Sequence, residues 1–246
     1  MSLSKLKGTG IAIVTPFTAS SDIDYEALSS LIEYWINGKV EYLVVMGTTG
    51  ESATLSKTEK SELFNFVTKQ VSGRIPVVLG LGGNNTRALI EQLNDFDLNK
   101  ATAILSVSPY YNKPTQEGIF QHYKAFASAS PLPIIVYNVP GRTSSNILPE
   151  TTLRMAKEIE KIVGIKEASG NMEQIMQIIA NRPADFIVLS GDDAITLPLI
   201  AAGADGVISV VANAYPYEFS EMVRLASASR LTEARDFHYR LLNIIQ

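Results

Sequence analysis

Hydrophobic positions along the chain alternate between two periods. Short, nearly continuous apolar runs at 10–15, 42–46, 76–80, 103–107, 133–137, 162–166, 186–190 and 206–210 are of strand length and rich in Val and Ile. Runs without polar alternation suit parallel strands buried on both faces. Between them, residues 24–37, 57–71, 86–98, 116–129, 149–160, 172–180, 194–202 and 217–226 place apolar side chains at helical spacing. Boundary residues agree: Ser56 and Glu59 make a capping box, Pro149 suits a first helical turn, and Gly38 and Gly203 suit helix ends. Eight strand–helix units, beginning roughly 20 to 34 residues apart, predict an α/β fold of the (β/α)8 barrel type, since a doubly wound sheet commonly has five or six strands.

No Pro/Ser-rich linker or compositional break divides the chain, so residues 1–246 read as one domain. The barrel occupies 1–226, and 231–246 reads as the first helix of a C-terminal extension. That helix stops on Leu241-Leu-Asn-Ile-Ile-Gln246 with no capping glycine, proline or polar tail, so the extension reads as truncated.

Composition removes several function classes. A net charge of -4 with no basic tract offers no footprint for a nucleic-acid backbone. The absence of cysteine excludes disulfides, thiolate metal sites and a cysteine nucleophile. The start has no apolar leader and no run is long enough to span a bilayer, so a cytoplasmic protein without membrane partners is expected.

Candidate chemistry gathers where the apolar runs end, the face on which a parallel barrel carries its active site. Lys166 closes the run Ile162-Val-Gly-Ile165 and precedes a polar turn. Its amine either snorkels to water or, partly desolvated, becomes a neutral nucleophile able to form a Schiff base. Gly47-Thr-Thr-Gly-Glu-Ser52 offers Thr48 and Thr49 hydroxyls and amides to a small carboxylate, or is a turn shaped by its glycines alone. Tyr110, Tyr111 and Tyr137 put phenols at the same rim, as proton carriers or as packing anchors. Arg142, in a Gly-Arg-Thr turn with no nearby carboxylate in sequence, suits a substrate carboxylate. Metal chemistry has little support: His122 and His238 each lie in a helical stretch, and Asp192-Asp193 reads as a helix N-cap before a Mg2+ ligand pair.

Taken in order, Gly-Thr-Thr-Gly-Glu-Ser at 47–52, Pro-Tyr-Tyr-Asn-Lys-Pro at 109–114, Tyr-Asn-Val-Pro-Gly-Arg-Thr at 137–143, Gly-Ile-Lys-Glu-Ala-Ser-Gly-Asn at 164–171 and Ser-Gly-Asp-Asp at 190–193 resemble the dihydrodipicolinate synthase family. The wider group is the pyruvate-dependent class I aldolases, with N-acetylneuraminate lyase and 2-keto-3-deoxygluconate aldolase. The resemblance implies a lyase that condenses pyruvate with L-aspartate 4-semialdehyde, giving 4-hydroxy-tetrahydrodipicolinate for lysine and diaminopimelate biosynthesis. It further implies Lys166 as the imine-forming residue and Thr48, Tyr137 and Tyr111 as a proton relay, with Tyr111 supplied across a subunit interface. Thr48 and Thr49 would hold the pyruvate carboxylate, Gly191 and Ile208 would supply backbone groups, and Arg142 would bind the aldehyde's carboxylate. No metal or organic cofactor is implied, and a homotetramer arranged as a dimer of dimers is. Another Schiff-base aldolase acting on N-acetylneuraminate or a sugar acid, or an inactive carboxylate-binding barrel, are the competing readings. Around the lysine-binding cleft of feedback-sensitive members, Ser52, Ala53, Asn84 and Tyr110 agree, whereas Lys57 and Lys60 replace histidines and Ala88 replaces a glutamate. Weak or absent inhibition by lysine is therefore expected.

Overall fold

A computed structural model describes residues 3–245; Met1 and Ser2, at the start read as lacking a leader, and Gln246, where the extension was read as cut, lie outside the described residues. The element order is β1 (Gly8–Ala12), α1 (Tyr25–Asn37), β2 (Tyr42–Val45), α2 (Lys57–Val71), β3 (Val77–Gly80), α3 (Thr86–Glu91), β4 (Ala103–Val107), α4 (Gln116–Ala129), β5 (Ile134–Asn138), α5 (Pro140–Thr143), α6 (Pro149–Glu158), β6 (Ile162–Glu167), α7 (Met172–Asn181), β7 (Ile187–Ser190), α8 (Thr196–Ala201), β8 (Gly206–Ser209), α9 (Pro216–Ser227) and α10 (Leu231–Ile245). Each strand pairs in parallel with the next and β8 pairs with β1, closing the (β/α)8 barrel.

Successive strand side chains point to opposite faces, and here both faces are apolar. One set, including Ile11, Val45, Val136 and Val188, packs outward against helix residues such as Trp35, Phe64, Phe126 and Phe219. The other, including Tyr42, Val44, Val78, Leu105, Ile135, Leu189 and Ile208, fills the barrel interior. Each such fully buried side chain contributes about 1.5–3 kcal/mol of transfer free energy. Tyr42 sets the interior's shape: its ring lies where a side chain on Gly10 would be, 2.2 Å from an ideal Cβ, and its hydroxyl donates to the Val207 carbonyl.

Local signals act as expected at Ser56 and Glu59, whose reciprocal capping bonds open α2, and at Pro149, which starts α6. The helix expected over 86–98 is a correction. It ends at Glu91 and gives way to 3-10 turns at Gln92–Asp95 and Leu98–Lys100. Asn94, Asp95, Asp97 and Asn99 favour turns. Phe96 takes an extended backbone that lets its ring pack edge-on against Phe64 at 5.7 Å. The last helix, α10, packs on α9 through Ala234, His238 and Leu241, and its end brings Ile244 and Ile245 to the carboxyl face of the barrel.

Candidate active site

Two residues late in adjacent strands turn inward together. Tyr137 on β5 stands in register with Lys166 on β6, and the Lys166 Nζ lies 4.3 Å from the centre of the Tyr137 ring. Lys166 is only 5% exposed. Burial drives its ammonium's pKa down to about 8, with the nearby Asp193 carboxylate opposing that shift and the Arg142 guanidinium adding to it. The snorkelling reading therefore does not hold: the stem and the amine are both inside. The lysine stem crosses Gly191, where a Cβ would sit 2.9 Å from Lys166 Cε and 2.7 Å from Ala168 Cβ, so glycine clears its path.

Thr48 and Thr49 follow β2 in a 3-10 turn, Thr48–Gly50, entered through Met46 at φ 60 and left through Glu51 at φ 54. Thr15 pins this turn by donating to the Gly50 carbonyl at 2.7 Å. Burial raises the pKa of the Tyr137 phenol, while the Arg142 charge and the Thr48 hydroxyl hold it down. Arg142 sits in α5, and among the described residues it makes no ion pair. A cavity of about 450 Å³ brings Thr48, Thr49, Tyr137, Arg142, Lys166 and Gly191 to one rim. A neighbouring cavity of about 420 Å³ shares Thr48, Tyr137 and Arg142 and extends past Ser52, Ala53, Lys60 and Tyr110.

Two expected site residues stand apart from this rim. Ile208 belongs to the barrel's inner core, and the cavity wall beyond it is made by Val210 and Val211. Tyr111 is 88% exposed at φ 75 and lines neither cavity. Of the two histidines, both buried in helices, His122 has its pKa lowered by burial to about 4, and its Nδ1 meets the Thr86 hydroxyl at 2.8 Å.

The N-cap reading of Asp192-Asp193 is corrected, since neither aspartate caps the helix. Helix α8 begins at Thr196 behind Ile195, and Asp193 Oδ2 instead accepts the Val210 and Val211 N–H groups at 3.0 Å each, tying the loop after β7 to the end of β8. It also lines the Lys166 cavity. Glu167 was overlooked as well. It faces away from Lys166 into the helix layer, where its carboxylate accepts from Asn138 Nδ2, the Ser169 N–H and Gln174 Nε2. A signal existed: neighbours on a strand face opposite sides, so an inward Lys166 puts a carboxylate in the outer core, where amide donors must meet it.

The closed barrel and a desolvated lysine at the carboxyl ends of its strands define a barrel enzyme built around a lysine amine. The chain belongs to the dihydrodipicolinate synthetase family, whose model matches residues 5–246. It is 56% identical over 238 residues to 4-hydroxy-tetrahydrodipicolinate synthase of Flavobacterium psychrophilum, an alignment covering 97% of this chain and 81% of the relative. The enzyme of that name from Parabacteroides distasonis is 54% identical, with 95% of this chain and 79% of the relative covered. Among solved structures, dihydrodipicolinate synthase of Aquifex aeolicus superposes with a TM-score of 0.93 at 41% identity, covering 97% of this chain and 81% of that one.

Proposed function

We propose that this chain is a lyase that condenses pyruvate with L-aspartate 4-semialdehyde to 4-hydroxy-tetrahydrodipicolinate, the reaction its relatives are named for. The observation that carries the reading is Lys166: a buried amine lowered to about 8, beside a phenol and above a cavity that holds an unpaired arginine. The neutral Nζ adds to the pyruvate ketone, and loss of water leaves an imine. The iminium then draws electrons from the methyl group, and the resulting enamine carbon attacks the aldehyde. The amine of the aldehyde substrate next adds to the imine carbon, which closes the ring and expels the Lys166 nitrogen. Thr48 and Thr49 suit the pyruvate carboxylate, Gly191 the backbone beside it, and Arg142 the second carboxylate.

Proton transfers in the first half fall to Tyr137 with Thr48 beside it. Tyr137→Phe is expected to lower kcat about 10²-fold, measured in a coupled steady-state assay. Tyr111 completes the relay only when contributed by a neighbouring copy, so we take the working form to be a homo-oligomer. The scheme needs no metal or organic cofactor and suits a cytoplasmic enzyme. Borohydride reduction with pyruvate, followed by peptide mapping, tests the imine: a pyruvyl adduct on Lys166 supports it, and an unmodified chain favours a carboxylate-binding barrel. If the adduct forms but the protein turns over a ketodeoxy sugar acid and ignores the semialdehyde, the substrate assignment is wrong.

Inhibition by lysine is expected to be weak, though for a narrower reason than sequence offered. Lys57 is paired with Asp95 at 2.7 Å, so its charge is engaged. Lys60 lines the cavity beside Ser52, Ala53 and Tyr110, where it repels a cationic effector, and Ala88 offers that effector no carboxylate. Initial rates should be unchanged at micromolar lysine; strong inhibition there would refute this.

A further inference from the structure

The Asp193 carboxylate is 9% exposed and only half engaged. Its Oδ2 accepts the Val210 and Val211 N–H groups, which suits an anion, whereas Oδ1 is buried with no partner in hydrogen-bonding geometry. Burial raises the pKa of this carboxyl, while the Ser209 hydroxyl, the Val211 and Val210 N–H groups and the charge of Lys166 favour its anion. Among the described residues Asp193 makes no ion pair within 4.0 Å, yet it lines the same cavity as Lys166. A buried carboxylate acts on a charge beyond hydrogen-bonding distance more strongly than one in bulk water, because the protein around it screens less.

The other groups that face the Lys166 nitrogen are quickly named. Tyr137 on β5 and Arg142 after it supply a phenol and a cation, Thr48 after β2 a neutral hydroxyl, and Val210 and Val211 after β8 no titratable side chain. Asp192 is partly exposed, and its Oδ1 is occupied by the Ala194 N–H at 3.0 Å. Among the described residues Asp193 is thus the buried carboxyl on this wall, which Arg142 also lines.

We infer that Asp193 is the fixed counter-charge of the Lys166 nitrogen and acts as a positioning residue, favouring the cationic iminium over the neutral imine. The inference rests on the imine mechanism above. Once the carbon–nitrogen double bond has formed, only the protonated nitrogen withdraws the electron pair left when the pyruvate methyl loses a proton. A buried anion nearby stabilises that state. The same anion works against the first step, because it also favours the ammonium over the free amine. Asp193 therefore hinders attack slightly and aids enamine formation, with burial and Arg142 restoring the nucleophile.

Asp193→Asn separates these effects, since the amide oxygen still accepts both backbone N–H groups while the charge is gone. Two pyruvate half-reactions give opposite responses. The pH midpoint of borohydride trapping should fall by about one unit. Deuterium exchange into the pyruvate methyl, measured per trapped imine, should slow about tenfold. In wild-type protein grown with ε-¹⁵N-lysine and mixed with pyruvate, the imine nitrogen should resonate as a protonated iminium at pH 7. This last reading does not depend on how the variant folds. A neutral imine in the wild type, or an exchange rate and trapping midpoint unmoved in D193N, overturns the inference while leaving the adduct in place. Absence of any adduct in the wild type overturns the imine mechanism itself.

Discussion

Lys166→Met is expected to lose at least about 10³-fold in kcat and to give no mass increment after borohydride and pyruvate, because among the described residues no other buried amine lines the cavity. The same variant is expected to be more stable than the parent. Lys166 has a folded-state pKa of about 8 against an ordinary 10.5, so the unfolded chain binds the proton more tightly. Between those values stability rises with pH, and below about 8 the full cost is present, on the order of 3 kcal/mol at neutral pH. Methionine fills the same space without a charge to desolvate. Thermal unfolding at pH 7 should show a higher Tm for the variant, and the gap should narrow as pH approaches 10. In the wild type the same ionisation governs activity: the rate of imine formation at low pyruvate should climb with pH and level off above about 8, where the free amine predominates. A variant that keeps activity, or a Tm gap independent of pH, contradicts this account of the residue.

Arg142→Ala is expected to lower kcat/KM for the semialdehyde by about tenfold or more, since hydrogen bonds to a charged group are worth about 1.5–3 kcal/mol and solvent at the exposed Arg142 holds the effect to the lower part of that range. The pyruvate adduct on Lys166 should still form. Its pH midpoint should rise slightly, because the Arg142 charge helps lower the Lys166 pKa. Arg142→Lys should recover only part of the loss, as an ammonium cannot offer the paired donors of a guanidinium. If the variant instead lost the adduct while keeping affinity for the aldehyde, Arg142 would belong to the pyruvate half of the site.

Much of the barrel was legible because each strand is buried on both faces and each helix on one, which writes period and burial directly into the sequence. The break of the helix after Glu91 was harder to see: its apolar spacing persists through Leu93, Phe96 and Leu98, and only the packing of Phe96 on Phe64 shows that the backbone has left the helix. At the site, Lys166, Tyr137, Thr48 and Arg142 could be placed at one rim because each ends a strand or follows one. Asp193 could not, because the second aspartate of Ser-Gly-Asp-Asp reads the same whether it belongs to a helix cap or reaches the next strand's backbone, and that choice is made in three dimensions. The position of Tyr111 tells a similar story: neighbouring tyrosines in sequence split between a cavity wall and the solvent.

Tyr42 carries a consequence well away from its own position. With its ring over Gly10 and its hydroxyl on the Val207 carbonyl, it helps stopper the barrel beneath the lysine. The cavity that reaches the amine lies on the carboxyl face. Under the proposed scheme, the molecule that bonds to Lys166 first would become the floor on which the second lands. Under the imine scheme proposed above, kinetic order would follow from this architecture: the ketoacid would lead, its water of dehydration would depart through the same opening, and the aldehyde would come second.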